Sequence, residues 1–270
     1  MDLRLNLSII GCIVLLNNIK KLSDVERYGL SIEGVYKYKY EHLLFSLRLK
    51  PGISSLTVIF SGVDQKPSRC SMSYYGLREE LSTNVLHIKD NFGAHGCYFA
   101  RVAGDSWIQE AVKALITHVV NILGVSKDQL NLIGTSKGGT EAILSGFNLG
   151  FGNVIAGEPQ IRLGNYLMAR GWEDSEVFKS IIYSICGSVR QENKEILNDI
   201  FVDRMCELAD HFYGKLTLLH GDTGYYPVHI EPLVTALDRF DVKCDVISYD
   251  TKNHNDIIPV FLNYIEEQGL

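Results

Sequence analysis

The stretch that decides the fold is residues 130–146, LNLIGTSKGGTEAILSG. Its first four residues form a short apolar run that is typical of a buried strand, and the residues after Gly139 favour a helix. Between them lies a Gly-x-Ser-x-Gly pattern centred on Ser136. A serine between a strand and a helix, with glycine two residues before and two after it, is the pattern of a nucleophile elbow. The ordinary alternative is a glycine-rich turn in which Ser136 only caps the helix.

The backbone gives the physical reason for this pattern. A nucleophile at the tip of a sharp turn needs small residues on both sides, because larger ones would make the strand and the helix collide. The following helix directs its free N–H groups and partial positive charge at the developing oxyanion. We therefore expect Ser136 to be a nucleophile and the N–H of Lys137 to be one oxyanion donor. The second donor is expected after an earlier strand, at Gly62 or Val63.

The composition is that of an ordinary globular protein. With 46% hydrophobic and 21% charged residues, the 270 residues can bury a large core and suit one α/β domain. The net charge of −6 and the scattered Lys and Arg residues disfavour a nucleic-acid partner. The six cysteines are widely spaced, with no C-x-x-C pair, so they predict neither disulfides nor a zinc site. They favour a cytoplasmic protein, and no metal or cofactor is indicated.

The N-terminal region contains an apolar run at residues 7–16. It is far shorter than the ~20 residues that a membrane-spanning helix needs. The residues before it lack the positive charge of a signal peptide, and no small-residue cleavage site follows. We expect a buried strand or helix at the edge of the domain.

Strands and helices alternate along most of the chain. The patterns predict an antiparallel pair within residues 33–49 and short strands at 56–60, 84–89, 130–133, 153–156, 216–219 and 244–249. They predict helices at 108–123, 230–240 and 257–267. This alternation indicates a mostly parallel central sheet with helices on both faces, an α/β-hydrolase-like fold over residues 1–270. Residues 160–212 interrupt the alternation and predict a helical, cap-like insertion.

A serine nucleophile needs a base, usually a histidine that a carboxylate orients. In this fold the order along the chain is serine, acid, histidine. His254 follows the last predicted strand and precedes the last helix, where the fold places its base, with His229 as the alternative. Ser136, Asp222 and His254 all fall just after predicted strands and so should share the sheet edge at which ligands bind.

The acid is less sharply defined by the sequence. Asp222 directly follows the penultimate strand and is the expected acid. The usual acid position lies three residues after the strand-end glycine, and here it holds Gly224. Asp250 and Asp256 near the histidine, or a displaced acid, therefore stay open as alternatives.

Three further side chains are candidates for binding substrate. Tyr225 and Tyr226 follow Asp222 and could stack on a sugar ring, and His229 could line the pocket. The side chain of Lys137 should point away from Ser136, because adjacent residues at an elbow point apart. It is expected to face the helix surface or an anionic group of the substrate.

Several stretches resemble capsular polysaccharide biosynthesis proteins of the XcbB/CpsF type. They are residues 90–93, 95–98, 133–139, 152–160, 163–167 and 220–229. The most specific of them are Gly-Thr-Ser-Lys-Gly-Gly at residues 134–139 and the downstream Pro159-Gln160. The chain is more distantly similar to glycan O-acetyltransferases of the accessory secretion system, which also have a hydrolase fold. The resemblance implies a bacterial capsule or surface-glycan pathway and an acyl-accepting role for Ser136.

Together, the residues and the resemblance predict a serine esterase or O-acetyltransferase with a covalent acyl-enzyme. Its substrate would be a small-molecule ester or a glycan, and it would need no cofactor. The choice between hydrolysis and transfer stays open, as does the oligomeric state. The alternative is a non-catalytic hydrolase-fold scaffold. It would associate peripherally with a polysaccharide assembly complex, and the missing acid at Gly224 favours it.

Overall fold

The computed structural model describes residues 30–63 and 72–270, so the apolar run at residues 7–16 lies outside it. Its centre is a sheet of eight strands in the order β1-β2-β4-β3-β5-β6-β7-β8. The strands are β1 (Ser31–Tyr38), β2 (Glu41–Arg48), β3 (Leu56–Phe60), β4 (Asn84–Lys89), β5 (Leu130–Thr135), β6 (Asn153–Gly157), β7 (Lys215–His220) and β8 (Cys244–Ser248). β2 is antiparallel to both β1 and β4, and all neighbours from β4 to β8 are parallel. The predicted mostly parallel sheet is confirmed.

Helices follow the strands on both faces of this sheet. They are α1 (Leu77–Glu80), α2 (Trp107–Leu123), α3 (Lys137–Leu149), α4 (Leu163–Leu167), α5 (Glu176–Cys186), α6 (Asn193–Leu208), α7 (Glu231–Leu237) and α8 (Ile257–Glu267). A π-helical turn at Tyr226–Ile230 leads into α7. The predicted helices at 108–123 and 257–267 are confirmed almost to the residue, and α2 ends at Gly124 with φ +68°. Helices α4, α5 and α6 occupy residues 160–212, as the sequence predicts.

The core lies on both faces of the sheet because successive strand residues point in opposite directions. Leu132 packs into the larger cluster with residues of α2 and α3. Its neighbour Ile133 packs into the smaller cluster with Ile257 and Phe261 of α8. Strands β3 and β5 are buried at every residue, which explains why their sequences are mostly apolar and do not alternate with charged residues.

The strand ends set up the geometry of the site. In the register of the central strands, Thr135 of β5 pairs with Gly157 of β6, and Gly157 pairs with Leu219 of β7. The loops after these three strands therefore leave the sheet side by side at its carboxyl edge, where ligands bind in parallel sheets. None of the helices in the described part of the chain is long and apolar enough to cross a membrane.

Candidate active site

Ser136 occupies the sharp turn between β5 and α3. Its backbone has φ +55° and ψ −124°, a conformation that a residue with a side chain adopts only at a cost of about 1–3 kcal/mol. The Ser136 N–H donates to the Gly157 carbonyl at 2.8 Å, and the Ser136 carbonyl accepts from Thr140 N at 3.1 Å. These bonds fix the strained residue between the end of β6 and the first turn of α3.

The two glycines of the motif are required by close backbone contacts. A Cβ on Gly134 would lie 2.5 Å from the backbone of Gly138, and a Cβ on Gly138 would lie 2.4 Å from the carbonyl oxygen of Phe60. Both distances are far shorter than real Cβ contacts, so side chains would push β5, α3 and β3 apart. The predicted elbow geometry is present, and it places the loop after β3 beside Ser136.

His254 lies at the start of a short 3-10 turn before α8, and its partner is Glu158. The distance from His254 Nδ1 to Glu158 Oε2 is 2.5 Å. Glu158 is fully buried, and its other oxygen accepts from Gly221 N at 3.0 Å and Thr223 Oγ1 at 2.6 Å. Because a carboxylate faces Nδ1, the proton of a neutral His254 belongs on Nδ1, which leaves Nε2 as an acceptor.

The environment of Glu158 favours its ionised form. Burial raises the pKa of this carboxyl, but hydrogen bonds from His254, Thr223 and the Gly221 N–H outweigh burial and lower the pKa below its usual value. The backbone of Glu158 has φ +42°, and its N–H donates to the Leu219 carbonyl at 2.8 Å. Two strained residues, Ser136 and Glu158, thus stand at the ends of the adjacent strands β5 and β6.

Asp222, the expected acid, does not contact His254. Asp222 is 80% exposed, and its carboxylate pairs with Lys252 Nζ at 3.0 Å. Its backbone N–H donates to the Thr251 carbonyl at 2.8 Å. The place beside His254 is already filled by Glu158 from β6, and the strand-end Gly221 donates its N–H to that carboxylate. The acid that contacts the histidine therefore comes from one strand nearer to Ser136 than the sequence analysis expected.

The two alternative acids also bind elsewhere. Asp250 pairs with Lys252 at 2.8 Å and is 88% exposed. Asp256 accepts from the N–H and the side-chain amide of Asn253, at 3.2 and 3.0 Å, and caps the short turn that carries His254. The open possibility of a displaced acid fits Glu158, a residue that the sequence analysis did not single out. Its signal was Gly157-Glu158-Pro159, an acidic residue directly after a short buried strand.

The Lys137 side chain lies in the interior, contrary to expectation. Its ammonium contacts Asp90 at 3.1 Å and the carboxylate of Glu141, and all three side chains are at most 2% exposed. It also donates to the Ser61 carbonyl at 3.3 Å. Burial lowers the pKa of Lys137, but the two acids outweigh burial and raise it. The expected exposure to solvent or substrate is wrong because these two acids hold the ammonium in the core.

Asp90, the first residue of one resembling stretch, organises the loop after β4. Its Oδ2 accepts from the backbone N–H groups of Cys97 at 2.6 Å and Tyr98 at 2.8 Å. Gly96 in this loop has φ +91°, and a Cβ there would lie 2.3 Å from Asp90 Oδ2 and 2.8 Å from Lys137 Cε. The glycine is needed because the loop passes directly over the buried ion pair.

Of the expected oxyanion donors, the Lys137 N–H has no acceptor within its helix, whereas the Gly62 N–H is already bonded within its loop. Lys137 is the first residue of α3, where helix N–H groups lack acceptors within the helix. The Gly62 N–H donates to Ser73 Oγ at 3.2 Å, and Ser73 N donates back to Ser61 Oγ at 3.1 Å. Gly62 is thus engaged within its loop, and Val63 is the next residue that could supply an N–H.

Of the three expected substrate-binding residues, Tyr225 contacts His254 directly and His229 lies against Tyr225. The ring of Tyr225 stacks on the His254 ring, with 4.4 Å between centroids and 5° between planes, and it also contacts His229 at 5.0 Å. Tyr226 instead packs on His220, at 4.8 Å. His229 Nδ1 accepts from Arg162 N at 3.1 Å. Burial, with His254 nearby, lowers the pKa of His229 to about 4.

Comparison with known proteins finds relatives by shape alone. No protein-family model matches the chain, and no curated protein matches its sequence. A variant of the capsule O-acetyltransferase of Neisseria meningitidis serogroup A, in complex with CoA, is 18% identical with a TM-score of 0.72, over 94% of this chain and all (100%) of that one. A glycosylation-associated protein complex from Streptococcus agalactiae is 20% identical with a TM-score of 0.71, over 87% of this chain and 46% of that one.

A third similar structure is a fluorophosphonate-binding serine hydrolase from Staphylococcus aureus. It is 15% identical with a TM-score of 0.62, over 90% of this chain and 99% of that one. At such identities the likeness concerns the fold, and it agrees with the strand order and the elbow described above. The chain has an α/β-hydrolase fold.

Proposed function

We propose that this protein is a serine acyl-transfer enzyme in which Ser136 is the nucleophile, His254 the base and Glu158 the acid. The observation that carries the proposal is the buried Glu158 carboxylate 2.5 Å from His254 Nδ1, one strand away from Ser136 in its strained turn. A carboxylate that fixes the tautomer of a histidine is the arrangement that activates a serine hydroxyl.

In the first half-reaction, Ser136 Oγ attacks the carbonyl carbon of an ester or thioester. His254 Nε2 takes the hydroxyl proton, and Glu158 stabilises the imidazolium through the Nδ1–H bond. The N–H groups of Lys137 and Val63 stabilise the negative charge on the carbonyl oxygen. The intermediate then expels the leaving group, which takes the proton from His254, and the acyl group stays on Ser136.

In the second half-reaction, a hydroxyl group gives its proton to His254 and attacks the acyl-serine. The intermediate expels Ser136 Oγ, which recovers the proton. Water as the acceptor makes the protein an esterase, and a sugar hydroxyl makes it an O-acetyltransferase. We favour acetyl transfer to a capsular or surface glycan, because similar structures include a capsule O-acetyltransferase, one form of it in complex with CoA, and a glycosylation-associated complex. Acetyl-CoA is accordingly the proposed donor.

The non-catalytic scaffold remains the rival, but its main support is weaker. It depended on the missing acid at Gly224, and Glu158 supplies a carboxylate at His254 from a different strand. The strained backbone at Ser136 also supports catalysis, because strain of this kind persists where function needs it.

The test is incubation with acetyl-CoA, followed by intact mass measurement and assay of free CoA thiol, with and without glycan acceptors. We expect an acetyl adduct on Ser136, faster thiol release when a suitable glycan is added, and neither in Ser136→Ala. Glu158→Gln should slow the reaction by about 10⁴-fold, as removal of a triad carboxylate does. Its matched control, Asp222→Asn, should react like the wild type. An unreactive, well-folded wild type tested over acyl-CoA and ester donors would favour the scaffold.

A further inference from the structure

Tyr225 is the residue whose contact with His254 the proposed mechanism does not yet use. The two rings are almost parallel, with 5° between planes and 4.4 Å between centroids. The tyrosine follows Gly224, which has φ +80°, and directly precedes the π-helical turn at Tyr226–Ile230. The chain therefore turns sharply at Gly224, and the next side chain lies flat on the imidazole.

Tyr225 is itself held by a buried glutamine. Gln160 Nε2 donates to the Tyr225 hydroxyl at 3.4 Å, and Gln160 Oε1 accepts from the Tyr98 hydroxyl at 2.5 Å. The Gln160 backbone is bound on both sides by Thr140, whose Oγ1 accepts from Gln160 N at 2.8 Å and donates to Gln160 O at 3.1 Å. Gln160 is fully buried, so its amide is a fixed donor rather than a surface contact.

These contacts lead back to the nucleophile. Thr140 N donates to the Ser136 carbonyl at 3.1 Å, so the first turn of α3 touches the elbow at one end and Gln160 at the other. The chain of contacts from Ser136 through Thr140 and Gln160 reaches the ring that covers His254. The position of Tyr225 therefore depends on contacts that begin at Ser136, in addition to those within its own loop.

We propose that Tyr225 is a positioning residue that fixes the plane of the His254 imidazole. This inference rests on the proposed function. One hydrogen bond from Nδ1 to Glu158 fixes the position of that nitrogen but still permits some rotation of the ring about the bond. A flat aromatic contact removes this rotation, and the two restraints together direct Nε2. Attraction between an aromatic face and a cation also favours this contact when His254 carries the proton.

The proposal changes the role expected for Tyr225 from the sequence. The ring face that lies on His254 is not available to a sugar, and the hydroxyl is engaged by Gln160. A platform for substrate would need an open face. In the proposed role, Tyr225 acts on the reaction through the histidine rather than through substrate affinity.

The experiment compares Tyr225→Leu with the conservative Tyr225→Phe, using kinetics of acetyl transfer. Misplacement of a catalytic group by about 1 Å can cost 10²-fold, so we expect Tyr225→Leu to lower kcat by about 10- to 100-fold with little change in KM. Tyr225→Phe keeps the ring and should restore most of kcat. A rise in KM with unchanged kcat in Tyr225→Leu would overturn the proposal and indicate a substrate platform.

Proton NMR of the histidine rings supplies a readout that needs no activity. In the wild type, the Tyr225 ring should shift the His254 ring protons upfield, and the Nδ1 proton bound to Glu158 should give a protected downfield signal. Both features should be lost in Tyr225→Leu and kept in Tyr225→Phe, with His254→Gln used for assignment. The matched control is Tyr226→Leu, which removes a ring from His220 and should move the His220 signals but leave those of His254.

The two readouts separate this inference from the proposed function. If the wild type transfers no acyl group but Tyr225→Leu loses the downfield Nδ1 signal, Tyr225 still orients the His254 ring, and only the proposed reaction fails. If Tyr225→Leu keeps the protected downfield Nδ1 signal of His254, the positioning role fails whatever the activity.

Discussion

Two clusters in this protein have the same composition, one lysine between two carboxylates, in opposite environments. The buried cluster consists of Asp90, Lys137 and Glu141. The exposed cluster consists of Asp222, Lys252 and Asp250. The side chains of the buried cluster are 0–2% exposed, whereas those of the exposed cluster are 63–88% exposed. Both lie near the carboxyl edge of the sheet, but only the buried cluster binds elements of the site to each other.

The difference shows how burial decides what an ion pair does. In the buried cluster, burial raises the pKa of Asp90, but the Lys137 ammonium, together with hydrogen bonds to Glu141 and the Cys97 N–H, outweighs burial and lowers it. Burial raises the pKa of Glu141 well above its usual value, and Lys137 only partly opposes this shift. The Lys137 ammonium thus lies between one carboxyl group whose pKa is lowered and another whose pKa is raised. Lys137 also donates to the Ser61 carbonyl, which ties the start of α3 to the loop after β3.

The largest expected effect comes from removing the buried lysine. Lys137→Met leaves the Asp90 carboxylate without its partner in a low dielectric, which costs about 3–5 kcal/mol of unfolding free energy. Chemical denaturation monitored by circular dichroism measures this change. A cost near zero would mean that the cluster is hydrated in solution, and it would remove the contrast with the exposed cluster.

Burial should also make the unfolding free energy depend on pH through His87, which is fully buried at the centre of β4. Burial lowers its pKa to about 4 from the usual value near 6.5, so the unfolded chain binds a proton that the folded protein does not. The sign follows directly: this group contributes stability above pH 6.5 and loses it as the pH falls towards 4.

The measurement compares the wild type with His87→Gln in chemical denaturation between pH 8 and pH 5. Over that range the wild type should lose about 2 kcal/mol of unfolding free energy relative to the variant. The loss accumulates between pH 6.5 and pH 5, where the His87 ring binds a proton in the unfolded chain but not in the folded protein. The difference between the two proteins should be constant above pH 7.5. A difference that does not change down to pH 5 would show that His87 is protonated without penalty.

A smaller effect is expected from Glu141→Gln. Because burial raises the pKa of the Glu141 carboxyl well above its usual value, its replacement by a neutral amide of the same shape should cost about 1 kcal/mol or less near pH 5. As the pH rises above 4.5, the unfolded wild type releases a proton that the folded protein retains, so the wild type loses stability relative to the variant. Asp90→Asn, which removes the ionised acid, should cost several-fold more. Equal costs for the two amides would contradict the opposite pKa shifts of Asp90 and Glu141.

The smallest effect is expected from the exposed cluster. Lys252→Met should leave the midpoint of chemical denaturation unchanged within error, because salt and water screen surface pairs. The same experiment at low and high salt should give the same result. A clear loss of stability would mean that the loop carrying Asp222 depends on this pair.

Much of the fold could be predicted because its signals are local. The glycines at 134 and 138 indicate a close backbone contact within a five-residue segment. The helical spacing of apolar residues in α2 can likewise be read from the sequence of that helix alone. The predicted ends of α2 and α8 are confirmed for the same reason. His254 could be placed after the last strand because the order of elements, rather than any contact, assigns it there.

The remaining parts of the site depend on contacts that the sequence order does not encode. Glu158 and His254 are 96 residues apart, and they meet only because β6 lies between β5 and β7 in the sheet. The Lys137 side chain points into the core because its ammonium pairs there with Asp90, a residue far earlier in the chain. Such partners follow from the order of strands in the sheet and from burial. A rule based only on position after a strand therefore predicted Asp222, rather than Glu158, as the acid.

The most direct test of the account is labelling with a fluorophosphonate probe, followed by intact mass, on wild type, Ser136→Ala, His254→Ala, Glu158→Gln and Asp222→Asn. We predict one adduct on the wild type, none on Ser136→Ala or His254→Ala, greatly slowed labelling of Glu158→Gln, and wild-type labelling of Asp222→Asn. Labelling that survives Glu158→Gln but is lost in Asp222→Asn would contradict the assigned acid. No adduct on the folded wild type would contradict an activated Ser136.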